Sequence, residues 1–282
     1  MHKTIPISVV ILTHNEAANI ERCLDSVSWS NDVVVLDSFS TDGTPDLAKG
    51  KGARVMYREF DNYAAQRNYV LKEIDYKNFW ILMLDADEVV PPELAEEMNR
   101  VVKEANHCTT MFRLRRKDFF MGTWLKYSCN YSSFWMGRLF RTGHVYIERS
   151  VNEEYYTDGI VERLEHSLLH FPFNKGINHW IDKHNRYSSM EADLVFRKRS
   201  SCWHFADLFR KDPVIRRKNL KALMFTLPGR PLLMFLGRYF VCGGFLDGWA
   251  GLTFCILKTY YEYMIDCKIR ELHFSYSKVS VL

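Results

Sequence analysis

The run Phe79-Trp80-Ile81-Leu82-Met83-Leu84 has no polar residue, and it delivers the chain directly into Asp85-Ala86-Asp87-Glu88. A short, uninterrupted apolar run suits a strand buried on both faces, as in a parallel sheet. If the chain stays extended past Leu84, the carboxylates of Asp85 and Asp87 leave on the same side. Two adjacent carboxylates repel each other unless a cation lies between them. A hard divalent ion accepts one or two carboxylates and fills its remaining positions with water and substrate phosphates. In open α/β sheets, ligands bind beyond the carboxyl ends of the strands. These residues therefore read as an acid-X-acid clamp for Mg²⁺ or Mn²⁺ on a nucleoside diphosphate. Alternatively, the acids simply end the strand and open a helix after Pro91-Pro92.

The surrounding chain repeats a strand–helix rhythm. Ile7–Thr13 and Val33–Leu36 are rich in β-branched residues and predict buried strands, and Ala53–Tyr57 predicts a third. Helices are expected over Ala17–Val27, near Pro45 and over Asn62–Ile74. Strands alternating with helices at this spacing imply right-handed βαβ units and a mostly parallel sheet. After Glu88 the rhythm changes. A helix is expected over Pro91–Ala105, then strands within Thr109–Arg115, Phe134–Phe140, Val145–Ile147 and Leu164–Phe171. From Ile177 onward the sequence reads as helical. The expected division is a catalytic α/β domain over 1–175, with a nucleotide-binding half (1–105) and an acceptor-side half (106–175), followed by a helical region over 176–282.

Charge sharpens the last assignment. Phe196–Arg238 carries eleven Lys/Arg against two Asp. Pro231–Leu257 is strongly apolar but is broken by Arg238, Asp247 and several glycines. A spanning helix wants about 20 apolar residues with few or no charges, so one or two helices lying in a membrane interface are expected, with the basic segment facing anionic head groups. The other reading is a buried helical hairpin that completes the core. No nucleic-acid partner is expected, because no nucleic-acid module is present and the basic run adjoins apolar sequence. The seven cysteines are scattered without a CxxC pair, which predicts reduced thiols and a cytoplasmic protein.

Four pieces taken together, Ile7–Glu16, Val33–Thr44, Gln66-Arg67-Asn68 and Asp85-Ala86-Asp87, resemble the family 2 glycosyltransferases of GT-A fold. Arg138–Arg141, Leu168–His170, Asn185–Ser189 and Gly244–Gly248 narrow the resemblance to the branch holding the bacterial lipopolysaccharide-core β-1,4-glucosyltransferases. It covers nearly the whole chain. It implies a Rossmann-like central sheet, a nucleotide-sugar donor of the UDP-hexose class, a divalent metal (Mg²⁺ or Mn²⁺), inversion at the anomeric carbon and a glycan or glycolipid acceptor. It places the protein in the cytoplasm, peripheral on the inner face of the cell membrane. Thr13, Asn15 and Glu16 match the first nucleotide-contacting loop, Asp37 the acid that holds the uracil ring, and Gln66 and Arg67 the segment beside the diphosphate. Asp85 and Asp87 match the metal motif, with Asp85 also beside the nucleotide. The family usually carries Gly where this chain has Phe39.

Inverting transfer is one in-line displacement, so a carboxylate should take the proton of the attacking hydroxyl. The branch has a Val-His-Glu triplet where this chain has Val151-Asn152-Glu153, which makes Glu153 the expected base and Glu154 the fallback. His170 is a candidate to complete the metal shell, as a later His does in some GT-A enzymes. Trp124, Tyr127, Trp135 and Arg138 are candidates for an acceptor wall. Two other readings remain: transfer to a polyprenyl phosphate, which needs no base, and a catalytically silent membrane-associated scaffold.

Overall fold

A computed structural model describes residues 4–129, 134–148, 154–197 and 229–279, together with 216, 219, 222–225 and 227. The chain forms two compact units. The first comprises Met1–Phe119 and Asn130–Asn174; the second comprises Phe120–Cys129 and Lys175–Leu282. The segment 120–129 thus groups with the helical unit.

In the first unit, β1 (Ile7–Thr13), β2 (Val33–Asp37), β3 (Arg54–Tyr57) and β4 (Trp80–Asp85) form a parallel half-sheet in the order β3-β2-β1-β4. The helices between them are α1 (Ile20–Ser26), α2 (Thr44–Gly50) and α3 (Tyr63–Glu73). Strand alternation explains the two cores. Val9, Ile11, Leu82 and Leu84 pack with α1 on one face, while Val10, Val34, Ile81 and Met83 pack with α3 on the other. Both faces are covered, which is why these strands are continuously apolar. Asn62 caps α3 by accepting from the Ala65 amide at 2.9 Å.

The chain turns after β4 at Ala86-Asp87, forms the short β5 (Glu88–Val89) and enters α4 (Pro92–Glu104). The sheet continues through β6 (Thr109–Phe120), β8 (Met136–Arg141) and β11 (Ile160–His170). β8 runs antiparallel to both β4 and β6, β11 runs parallel to β6, and β5 runs antiparallel to β11. β9 (Val145–Glu148) and β10 (Glu154–Thr157) form a separate antiparallel pair. The result is an α/β fold with a large central sheet flanked by helices; its β1–β4 half is parallel as expected, whereas the antiparallel pairings of β8 and β5 make the whole sheet mixed and not mostly parallel.

The second unit holds β7 (Thr123–Trp124), α5 (Gly176–Arg197), α6 (Arg230–Leu236) and α7 (Gly248–Val279). A π-helical turn (Gly237–Val241) and a 3₁₀ turn (Gly244–Asp247) join α6 to α7. Arg230 ties α6 to α7 through Glu262 at 2.7 Å and Asp266 at 2.8 Å. Lys268 of α7 donates to Asn185 and Ser188 of α5. Among the described residues no single helix is long and apolar enough to cross a membrane. The pair Arg230–Val241 and Gly244–Ser275 has the length and composition only when taken together, and it bends by 71° at the junction.

Candidate active site at the carboxyl rim of the sheet

Two loops leave the carboxyl ends of β1 and β2 and are stitched together by side chains. Asp37 is fully buried. Its carboxylate accepts from the Thr13 hydroxyl at 2.8 Å and from the Ser40 amide at 2.7 Å. The Asn15 amide donates to Ser40 Oγ at 2.7 Å, and Asn15 Oδ1 accepts from the Thr41 amide at 2.8 Å. The Glu16 amide donates to Thr44 Oγ1 at 2.8 Å, and the Glu16 carboxylate accepts from Asn19 Nδ2 at 2.8 Å. This stitching holds residues 17–19 as turns, so α1 starts at Ile20 and not at the expected Ala17. It also places Asp37 as the anchor of the pair of loops. Three donors, the Thr13 hydroxyl and the Ser40 amide and hydroxyl, use its carboxylate, which leaves one acceptor position on Oδ1.

Phe39 lies between these anchors with φ +57°. That left-handed conformation suits glycine and costs a residue with a side chain roughly 1–2 kcal/mol. Phe39 thus holds a backbone conformation that the family's usual Gly would adopt without strain. The exposed Phe39 ring stacks on Tyr57 at 5.7 Å.

The triplet Gln66-Arg67-Asn68 fastens α3 to three neighbours. Gln66 Nε2 donates to Ser38 Oγ at 3.0 Å, and Gln66 Oε1 accepts from Arg58. Arg67 is buried, with Nη2 3.2 Å from Asp85 and Nη1 3.3 Å from the Tyr155 hydroxyl. It is not a solvated helix residue. Asn68 donates to the Ile147 carbonyl at 2.6 Å and accepts from the Ile147 amide at 2.9 Å, so its amide stands in for a paired strand beside β9.

At the end of β4 the chain turns at Ala86-Asp87, and the two aspartates meet different partners. Asp85 pairs with Arg67 and, at 2.7 Å, with Arg138, while its amide donates to Glu88 at 3.0 Å. Asp87 lies 3.2 Å from His170 Nε2. His170 Nδ1 is hydrogen-bonded to Asp118, which Arg116 Nε also approaches at 2.9 Å. Sheet register assembles this row. Asp118 of β6 is opposite His170 of β11, which is opposite Glu88 of β5. A register shift between Arg163 and Ser167 brings β11 into this alignment. The backbone bond from the Phe171 amide to the Asp87 carbonyl, 2.9 Å, fixes the turn beside it.

The cluster is electrostatically close to balanced, with Asp85, Asp87, Glu88 and Asp118 facing Arg67, Arg116, Arg138 and His170. Burial works to raise the Asp85 carboxyl, but Arg138 and Arg67 hold it well below the usual carboxylate range. Burial works to discharge His170, yet Asp87 and Asp118 push it up to about 9. Cys23, behind the strand end, is pushed up by burial and by Glu88, Asp87 and Asp85, so its thiol stays protonated.

Two of these groups, Arg116 and Asp118, are absent from the expectations drawn from sequence, and Glu88 and Arg138 are placed differently from them. Glu88 is a fully buried strand residue 2.7 Å from Arg138, not a helix opener. Arg138 is 3% exposed and cannot form an acceptor wall. Arg116 and Asp118 lie beyond the expected strand Thr109–Arg115, which runs on to Phe120. Their signal is alternation: Leu114, Arg116, Asp118 and Phe120 share the inward face of β6, and the first and last of these are buried. Trp135 lies between Arg115 and Arg163, whose guanidinium groups are 4.9 and 5.0 Å from its ring. Glu154 opens β10 opposite Glu148, and Glu153 lies outside the described residues.

No group of three or more His, Cys, Asp or Glu side chains that could hold a metal ion occurs among the described residues. The donor set nevertheless fits a hard divalent cation shared with a ligand. Asp87 offers carboxylate oxygens beside one imidazole nitrogen at the rim, and Mg²⁺ or Mn²⁺ takes few protein ligands when phosphates and water complete its shell. Asp118 on Nδ1 leaves Nε2 turned toward Asp87, the outer-shell arrangement common for ligating histidines.

The profile of the family described as Glycosyl transferase family 2 matches residues 8–161. The chain belongs to that family. A lipopolysaccharide core biosynthesis glycosyltransferase, LpsC, from Rhizobium meliloti (strain 1021) is 26% identical over 95% of this chain and 93% of its own length. An uncharacterised glycosyltransferase of Rickettsia bellii (strain RML369-C) is 40% identical, but over only 36% of this chain and 35% of its own. Among solved structures, the glucosyl-3-phosphoglycerate synthase of Mycobacterium tuberculosis, crystallised with Mn²⁺, UDP and glucosyl-3-phosphoglycerate, overlays 42% of this chain and 45% of that one. Its identity is 26% and its TM-score 0.33.

Proposed function

We propose that this member of glycosyl transferase family 2 is an inverting hexosyltransferase. It takes a hexose from a nucleoside-diphosphate sugar, UDP-glucose in the first instance, and gives it to a cell-envelope glycan or glycolipid at the cytoplasmic face of the membrane. The observation that carries the reading is the rim of the parallel half-sheet. There the stitched 13–16 and 37–44 loops stand beside Arg67, Asp85, Asp87 and His170, where open α/β sheets bind their ligands. The full-length likeness to LpsC supports the acceptor class.

In this reading Thr13, Asn15, Glu16 and Asp37 shape the nucleoside side of the pocket, and Gln66 braces it through Ser38. Arg67 and Arg138 keep Asp85 ionised and fixed beside the diphosphate. Asp87 and His170 hold the divalent ion, which supplies Lewis-acid stabilisation for the charge gathering on the leaving diphosphate. Glu153, or failing it Glu154, takes the proton from the acceptor hydroxyl, a contribution of about 10²–10⁴-fold.

The test is a screen of UDP-, GDP-, ADP- and dTDP-sugars for thermal stabilisation and hydrolysis with Mg²⁺ or Mn²⁺. One sugar nucleotide should stabilise the protein in a metal-dependent way, and Asp87→Asn should abolish that response while leaving the fold intact. Absence of any metal-dependent nucleotide binding would overturn the reading. Transfer retained in a Glu153→Gln, Glu154→Gln double variant would remove the base from the mechanism.

A further inference from the structure

The helical unit ends in an apolar apex where α6 bends into α7. Phe240, Val241, Phe245, Leu246 and Trp249 are 57%, 86%, 49%, 59% and 74% exposed. Five large apolar side chains so exposed, close together in one bend, are more than the scattered singles that need no explanation. The bend is built firmly. Gly251 lies so close to the Gly244 carbonyl that a Cβ there would approach it to 2.2 Å. The apex is thus a packed feature that holds its apolar residues outward.

Its charge is one-sided. From Arg230 to Trp249 the sequence contains a single acid, Asp247. Asp247 is buried, and it is turned inward onto the amides of Lys126, Tyr127 and Ser128 at 3.2, 3.0 and 2.7 Å. That bond set fastens the 126–128 loop beside the apex. It brings with it the exposed Lys126, whose ammonium lies 5.1 Å from the Tyr127 ring and 5.7 Å from the Trp124 ring. An apolar tip, a collar of Trp and Tyr, and an exposed lysine form the layered chemistry of a bilayer interface. The segment Phe196–Arg238, with its excess of Lys/Arg, adds to the same sign in sequence. A second copy of the chain would bring like charge against like, whereas an anionic bilayer is complementary in both layers.

We propose that this apex is the docking surface for an anionic lipid bilayer. Phe240, Val241, Phe245, Leu246 and Trp249 enter the interfacial layer, Lys126 sits at head-group level, and Asp247 is the positioning residue that keeps the loop and apex together. The inference does not depend on the identity of the donor or on sugar transfer.

The experiment is co-sedimentation of the full chain with phosphatidylethanolamine/phosphatidylglycerol vesicles and with phosphatidylcholine vesicles, alongside light scattering. The wild type should bind the anionic vesicles as a monomer. Val241→Glu, Leu246→Glu, Trp249→Glu combined should weaken partitioning by about 100-fold or more. Lys126→Glu should weaken it by at least about fivefold on anionic vesicles and little on phosphatidylcholine. Metal-dependent sugar-nucleotide hydrolysis and the circular dichroism spectrum should be unchanged in all of them, which separates this surface from the rim. Trp249→Glu alone gives the readout if the triple variant does not fold. Wild-type protein that stays in the supernatant, a folded apex variant that pellets as before, or an apex variant that turns a dimer into a monomer would each overturn the proposal.

Discussion

The two ends of the parallel half-sheet each hold a buried or half-buried aspartate, yet they are built differently. At the amino end Asp32 is 4% exposed. It accepts from the Ser8 hydroxyl at 2.6 Å and the Lys77 amide at 2.8 Å, with Arg54 at 3.3 Å. One acid meets three donors, and with Asn31, Arg54, Asp75 and Lys77 among others it lines the floor of a cleft of about 320 Å³. At the carboxyl end four acids share three arginines and a histidine, and the Asp85 side chain remains 32% exposed. A carboxylate enclosed by its own donors is structural. Carboxylates that must share cations at an open rim can exchange one of those cations for a ligand's.

That contrast can be broken in order of expected effect. Arg138→Ala removes a buried cation from Asp85 and Glu88 at once and should cost about 3–5 kcal/mol in urea unfolding. A loss below about 1 kcal/mol would mean the rim is not an integrated cluster. Asp87→Asn should lower transfer by about 10²–10³-fold with a smaller loss of stability than Arg138→Ala, because His170 keeps its Asp118 partner. Asp32→Ala should do the opposite, costing about 1–3 kcal/mol of stability while activity per folded molecule stays constant. If the amino-end variant abolished transfer in folded protein, the division of labour between the ends would fail. The smallest effect concerns the loop between the anchors. Phe39→Gly relieves the left-handed strain but gives up the Tyr57 contact and backbone entropy, for a net change within about 1 kcal/mol. Phe39→Ala keeps the strain without the ring and should be the less stable of the two by about 1 kcal/mol in the same measurement.

How legible this was depended on whether the signal was local. The strands β1, β2 and β4 could be placed from runs of apolar residues, because a strand covered on both faces has no other composition open to it. The family resemblance named the strand ends and loop that carry Thr13, Asn15 and Asp37, and the helix that carries Gln66. What could not be read was direction. Asp85 and Asp87 are two apart, but a turn at Ala86-Asp87 sends one to Arg138 and the other to His170. Arg138 and Glu88 look like surface residues in sequence because the charges that permit their burial come from other strands. Asp118 reaches His170 only through a register shift in β11, which no composition announces. In the helical unit the apolar stretch was evident, whereas its bend and the Asp247 bonds were not. The role of 120–129 was hidden because its partner lies more than a hundred residues downstream.

The membership of that short segment has a practical corollary. The polypeptide passes from one unit to the other at 119/120, again at 129/130 and again at 174/175. Cutting after residue 174 would therefore not yield a self-sufficient sheet domain. It would leave a ten-residue insert whose amides had lost their anion, dangling from the strand that supplies Arg116 and Asp118. Domain-swap chimeras with other transferases should accordingly exchange 120–129 together with the carboxyl-terminal helices, as one inseparable cassette.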